Sequence, residues 1–208
     1  MRRFEMKNAI ALAAVAGIAS AAAAQTATLN IVASQSVVNS QVTNMITLSV
    51  YGSADFGTHI AGGGVQLSAA GGAGVVGAMG VGVEAWGAIG FADQGDAGDG
   101  NYTGVVFGQL IFPPLFPPAP ESDFSNGEVL LATFTVEILA GSAGQIDWSS
   151  AAVASAGGVV LNIFDAGDNS ATDVTAANFG GASVTVVPAP SAMALLGLGG
   201  LVAGRRRR

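Results

Sequence analysis

The stretch Asn126-Gly127-Glu128-Val129-Leu130-Leu131-Ala132-Thr133-Phe134-Thr135-Val136-Glu137-Ile138 decides the fold class. After an Asn-Gly turn signal, Leu130, Ala132, Phe134, Val136 and Ile138 alternate with Leu131, Thr133, Thr135, Glu137 and Leu139. That two-residue repeat suits a half-buried strand and cannot line one side of a helix. Ile46, Leu48 and Val50 alternate in the same way with Thr47, Ser49 and Tyr51. Runs rich in β-branched and aromatic residues at 28–32, 65–67, 81–86, 102–112, 145–148, 159–164 and 183–187 read as further strands. Gly62-Gly63-Gly64 and Ser125-Asn126-Gly127 read as turns between strands. About eight or nine short strands predict an all-β fold, an antiparallel β-sandwich of jelly-roll or immunoglobulin-like type. Residues 69–82 fit a loop as well as a weakly patterned strand, and 151–156 fit one short helical turn. The prolines between Pro113 and Pro120 exclude a central strand. They predict an extended, polyproline-like loop across a sheet edge, rigid in itself and with partner docking as its functional alternative.

Charge divides the chain of 208 residues into three parts. Its 7 cations are Arg2, Arg3 and Lys7 at one end and Arg205, Arg206, Arg207 and Arg208 at the other. Of the 14 acids, only Glu5 lies outside residues 25–187, so that body carries −13 with no cation. Such a body has no side chain with which to neutralise phosphates, which excludes nucleic acid as a partner. Its acids must face water, accept hydrogen bonds or hold metal ions. With 50% apolar residues and no cysteine, the body folds by core packing rather than by disulfides.

The two ends read as addresses. Residues 1–24 form a secretory signal peptide, with a basic start, an apolar run at 9–18 and small residues at 22–24 that place cleavage between Ala24 and Gln25. Residues 188–208 form a tail of Pro188-Ala189-Pro190, an apolar run at 192–204 and the four arginines. Thirteen residues of helix span about 20 Å, short of a hydrocarbon core of about 30 Å. The arginines favour the cytoplasmic side. This three-part arrangement resembles the PEP-CTERM sorting signal of bacterial envelope proteins. The resemblance covers about residues 187–208, with Ala189 where that family has glutamate. It implies recognition by an exosortase-type membrane enzyme, a transient inner-membrane anchor and a destination at the cell surface, the outer envelope or the extracellular matrix.

Within 25–187, a second resemblance rests on 28–32, 44–50 and 126–136. These segments are similar to cohesin-type and related carbohydrate-binding sandwiches, in which a Gly-x-Leu-Ala-x-Phe-x-Val strand recurs. It implies a sandwich with a binding role.

Few residues could carry catalysis. His59 would have to serve any Ser/His/Asp triad, and no nucleophile-elbow motif accompanies it. Glu84, Glu121, Glu128 and Glu137 are available for a glycosidase pair, with Trp86 near Glu84. The expectation is that the chain is not an enzyme. Calcium is the specific chemistry the residues fit best. Asp93, Asp96, Asp99 and Asn101 share one Gly-rich loop, and Asp165, Asp168 and Asp173 form a second cluster of oxygen donors. Ordinary turn formation competes for the same residues. Trp86 and Trp148, with Tyr51 and Tyr102, are candidates for stacking on sugars, against burial in the core. The sequence therefore points to an exported structural or adhesive protein associated with exopolysaccharide. A carbohydrate-binding module is the alternative, and a small glycoside hydrolase the remoter one.

Overall fold

The computed structural model describes residues 25–188. The expected signal peptide, including Ala24, lies outside the described residues, and so does the tail beyond Pro188, with Ala189, Pro190 and Arg205 to Arg208. The chain forms β1 (Ala27–Ala33), β2 (Val37–Asn39), β3 (Asn44–Ala54), β4 (His59–Ala70), β5 (Val76–Val83), β6 (Ala92–Asp93) and β7 (Asp96–Gly98). It continues with β8 (Asn101–Gly108), β9 (Val129–Ile138), β10 (Gly144–Ala151), β11 (Leu161–Asp165), β12 (Ser170–Val174), β13 (Ala177–Phe179) and β14 (Gly181–Val187). Three single 3-10 turns, Ala85–Gly87, Pro120–Ser122 and Ala154–Ala156, are the helical elements among the described residues.

Two sheets face one another in a β-sandwich, the fold class that the alternation predicts. One sheet runs β13-β1-β3-β9-β5. In the other, β4 is the central strand. Its residues 62–67 pair with β8 on one edge, while the other edge takes β11 at 59–63 and β10 at 66–70. Beyond these lie β12 on β11, and β14 then β2 on β10. Pairing is antiparallel except for β1 with β13 and β14 with β2. Between the sheets, Leu29, Ile46, Leu48, Phe134, Val136, Ile146, Trp148 and Val184 are buried. The inward residues of each strand thus form one core, with alternate residues left for the outer faces.

Two local departures from the sequence pattern have identifiable causes. The register between β3 and β9 slips between Val50 and Tyr51, where Val50 faces Ala132 and Tyr51 faces Leu130. Leu131 is the extra residue of this bulge. It turns inward and is fully buried, whereas Leu130 is half-buried, so the alternation from Phe134 to Ile138 does not extend back to Leu130. The second departure is Gly62-Gly63-Gly64, which forms the middle of β4 and not a turn. A Cβ on Gly62 would meet Phe107 O at 2.8 Å and Gly108 Cα at 3.1 Å, and one on Gly64 would meet Val153 Cβ at 3.1 Å. Backbone on β8 comes too close for a side chain at Gly62, and at Gly64 the Val153 side chain beside the 3-10 turn would have to shift.

The strand directions give the sandwich two distinct poles. β1 enters at Ala27, opposite Ala54, and β14 ends at Val187, opposite Asn39. Gly180 alone separates β13 in one sheet from β14 in the other, and its amide donates to Leu29 O at 2.7 Å. The chain therefore enters at one pole and leaves β14 at the other.

Candidate functional site

The acidic loops are built from hydrogen bonds to their own backbone. Asp93 Oδ1 accepts from Gly95 N at 2.8 Å and from Tyr102 Oη at 2.6 Å. Asp96 Oδ1 accepts from Gly98 N at 2.8 Å, and its Oδ2 accepts from Met79 N at 2.8 Å. Asn101 Oδ1 accepts from Ala69 N at 3.0 Å. Asp99 takes a left-handed φ of 54° in the turn before Gly100. In the second cluster, Asp165 serves Gly167 N, Asp168 serves Ser170 N, and Asp173 accepts from Asn162 Nδ2 at 2.6 Å.

These carboxylates close turns and tie strands, and they do not converge. Among the described residues, no group of three or more acids or histidines is placed to hold a metal ion. The residues of the calcium expectation, Asp93, Asp96, Asp99, Asn101, Asp165, Asp168 and Asp173, are thus not gathered into a cluster of three acids. The cause is local: an Asp two residues before a free amide closes an Asx turn without help from other segments. Hydrogen bonds from the Ser170 hydroxyl and amide hold the Asp168 carboxyl below the usual carboxylate range. The Ser125 amide and then its hydroxyl do the same for Asp123. Gln145, followed by Ser183, lowers Asp147.

The tryptophans are core residues. Trp148 is 2% exposed and Trp86 7%. The Trp148 indole donates to Gly100 O at 3.0 Å, and Trp86 meets Phe107 edge-on at 5.8 Å. Neither ring offers a face to a sugar, which corrects the stacking expectation for both. Tyr102 is likewise buried, edge-on to Phe134 at 5.1 Å. The lone His59 bonds Thr58 Oγ1 through Nδ1 at 2.8 Å. Glu128 and Glu137 lie at opposite ends of β9, about 30 Å apart at ~3.3 Å per residue. That separation rules them out as a glycosidase pair.

The surface feature that stands out is the proline-rich segment. It does not run extended along the sheet edge but reverses on itself. Phe112 N donates to Phe116 O at 2.7 Å, and Phe116 N donates back to Phe112 O at 2.9 Å, around a cis Pro113–Pro114 bond. Gln109 fixes the base of this hairpin. Its Nε2 donates to Ile60 O at 2.7 Å and Ser122 Oγ at 2.8 Å, while its Oε1 accepts from Ala119 N at 2.8 Å. The hairpin lifts Phe112 (62% exposed), Leu115 (71%), Leu110 and Phe116 into solvent. Beneath it, a groove of about 460 Å³ is bordered by Ala61, Gln109, Phe112, Asn162, Phe164 and Ala171. No charged residue occurs between Asn101 and Pro120.

No family model matches the chain, and no curated protein does. Solved cohesin structures are similar to it. The seventh ScaB type I cohesin from Pseudobacteroides cellulosolvens is 14% identical, covering 79% of this chain and 95% of that one, with a TM-score of 0.46. A type II cohesin domain from the cellulosome of Acetivibrio cellulolyticus is 11% identical, covering 76% and 95%, with a TM-score of 0.46. A type I cohesin–dockerin complex from Clostridium thermocellum gives 10%, 78% and 95%, with a TM-score of 0.47.

The sequence reading missed two features of the surface. The first is the pairing of Phe112 with Phe116, which turns a proline run into an apolar tip. The second is the anchoring of the last strand by Ser40. Its hydroxyl donates to Ser142 O at 2.5 Å, and its amide donates to Val187 O at 3.0 Å. A fully buried serine between two turns leaves no periodic trace in a sequence.

Proposed function

We propose that this chain is an exported, non-catalytic β-sandwich with a structural or adhesive role at the cell surface or in an exopolysaccharide matrix. In this reading an exosortase-type enzyme acts on the tail near Pro188-Ala189-Pro190. The observation that carries it is the placement of two features at opposite poles. Val187 leads into the tail at one pole, while the apolar hairpin at 112–116 follows the β8 end that pairs with Gly62, toward the other. A chain held or joined through its tail therefore turns the hairpin outward. Contiguous exposed apolar side chains on a rigid frame are the usual mark of an interaction surface. The reading needs neither a bound ion nor a stacked sugar ring.

Two measurements test it. The intact mass of the chain from its host's membrane and extracellular fractions should show loss of about the last 20 residues. A C-terminus still at Arg208 in both fractions overturns the sorting step. Retention on matrix isolated from the host should fall several-fold when Phe112, Leu115 and Phe116 are all replaced by Ser. Unchanged retention of that folded variant overturns the adhesive role of the hairpin.

A further inference from the structure

We infer that the pole from which the tail leaves is a lipid-contact surface, so that the folded body rests on the bilayer while residues 192–204 engage it. This inference depends on the membrane-directed reading of the tail and extends it to the sandwich itself. Three observations carry it.

The first is tether length. Only four residues, 188–191, separate Val187 from the apolar run. Even fully extended they span about 14 Å. Val187 cannot retreat from the surface either, because its carbonyl is held by the Ser40 amide at 3.0 Å and its strand is paired with β2. Whatever the tail enters, this pole follows closely.

The second is charge. The turns at this pole, 40–43, 71–75 and 139–143, contain no charged residue. Three acids border them: Asp99, in the 99–100 turn with its carbonyl against Gly72, Glu137, paired with Met45, and Asp147, paired with Ala70. The turns and loops at the opposite pole carry Asp55, Glu84, Glu121, Asp123, Glu128, Asp165 and Asp168. Anionic headgroups repel carboxylates over roughly a Debye length, about 8–10 Å in physiological salt. A body carrying −13 approaches a bilayer at least cost through the end with fewer acids, whose 40–43, 71–75 and 139–143 turns are neutral.

The third is the side chains presented there. Val42 in the turn is 63% exposed, and Val37 and Val187 stand on the same outer face of the β2–β14 pair. Met45, just inside β3, is also exposed. Asn44 steadies this edge, its Nδ2 donating to Val42 O at 3.2 Å and to Asn39 O. Exposed valines and a methionine beside neutral turns suit the headgroup boundary.

The chain has no cysteine, so single cysteines can report on each site. V42C, N126C and A194C would each be expressed in the host and extracted from the membrane fraction with the tail intact. Each would then be labelled with a fluorophore and placed in nanodiscs of phosphatidylcholine and phosphatidylglycerol. A nitroxide lipid should quench A194C most, V42C several-fold more than N126C, and N126C hardly at all. Quenching of A194C with V42C no more quenched than N126C would overturn the lipid-contact pole while leaving the tail reading intact. No quenching at A194C would overturn both. Cross-linking of V42C between copies without lipid quenching would assign the pole to a second copy and overturn the proposal.

Discussion

Tyr102 donates a 2.6 Å hydrogen bond to Asp93, joining a buried ring to an exposed acidic loop. Burial, reinforced by the bond to Asp93, raises the phenol well above its ordinary range. A group whose folded pKa is raised contributes stability that is present below its unfolded pKa, ~10 for Tyr. That contribution is lost as pH rises beyond this value. Thermal melts from pH 8 to 11 should therefore show a fall in Tm above about pH 10. In Tyr102→Phe the fall should be shallower. At neutral pH the same variant should lose only about 1 kcal/mol, since Asp93 can turn to water.

Glycine substitutions should have opposite signs at two places. Gly62→Ala drives a methyl into Phe107 O and Gly108 Cα, both backbone atoms that cannot step aside. A cost of about 3 kcal/mol follows from overpacking. Gly82→Ala, in β5, meets no atom within 4 Å and has no left-handed φ. It should stabilise by about 0.5–1 kcal/mol by removing backbone freedom from the unfolded chain. Urea denaturation of both variants measures the difference.

Gln109→Ala should loosen the hairpin without unfolding the sandwich. The change leaves Ile60 O, Ala119 N and Ser122 Oγ without the amide that joins them. Hydrogen exchange at Ala119 should accelerate by at least tenfold, the equivalent of about 1.4 kcal/mol, while exchange in β9 and β3 stays unchanged.

Calcium and chelator should give the same melting temperature, because the loop carboxylates already serve backbone amides. A Tm rise in millimolar calcium would show that the loops rearrange into a site. The same carboxylates set the acid limb. Asp123, Asp147 and Asp168 are lowered by their hydrogen bonds, so their contribution is present above the usual carboxylate pKa, ~3.9, and is lost as pH falls further. Asp168→Asn should flatten the loss of Tm between about pH 4 and 2.

By itself the sequence determined the fold class and the placement of the charges. These are one-dimensional properties. A strand's two-residue period is written into Ile46-Leu48-Val50 and Phe134-Val136-Ile138, and both sets are buried as that period requires. The tertiary structure decided whatever depends on two distant segments meeting. The Gly62-Gly63-Gly64 run is a strand and not a turn because β8 and β11 flank it on both edges, which composition cannot register. Trp86 and Trp148 are core, the commoner fate of aromatics in a sandwich, because opposing strands cover them, although a tryptophan near a glutamate also admits a reading as a sugar platform. Asp93, Asp96, Asp165 and Asp168 are turn closers because each finds an amide two residues on before it can find another acid. The acid-rich and acid-poorer poles arise only when antiparallel pairing gathers alternate turns at each end of the sandwich. That pairing is a property of the folded chain, set by which hydrophobic faces bury one another.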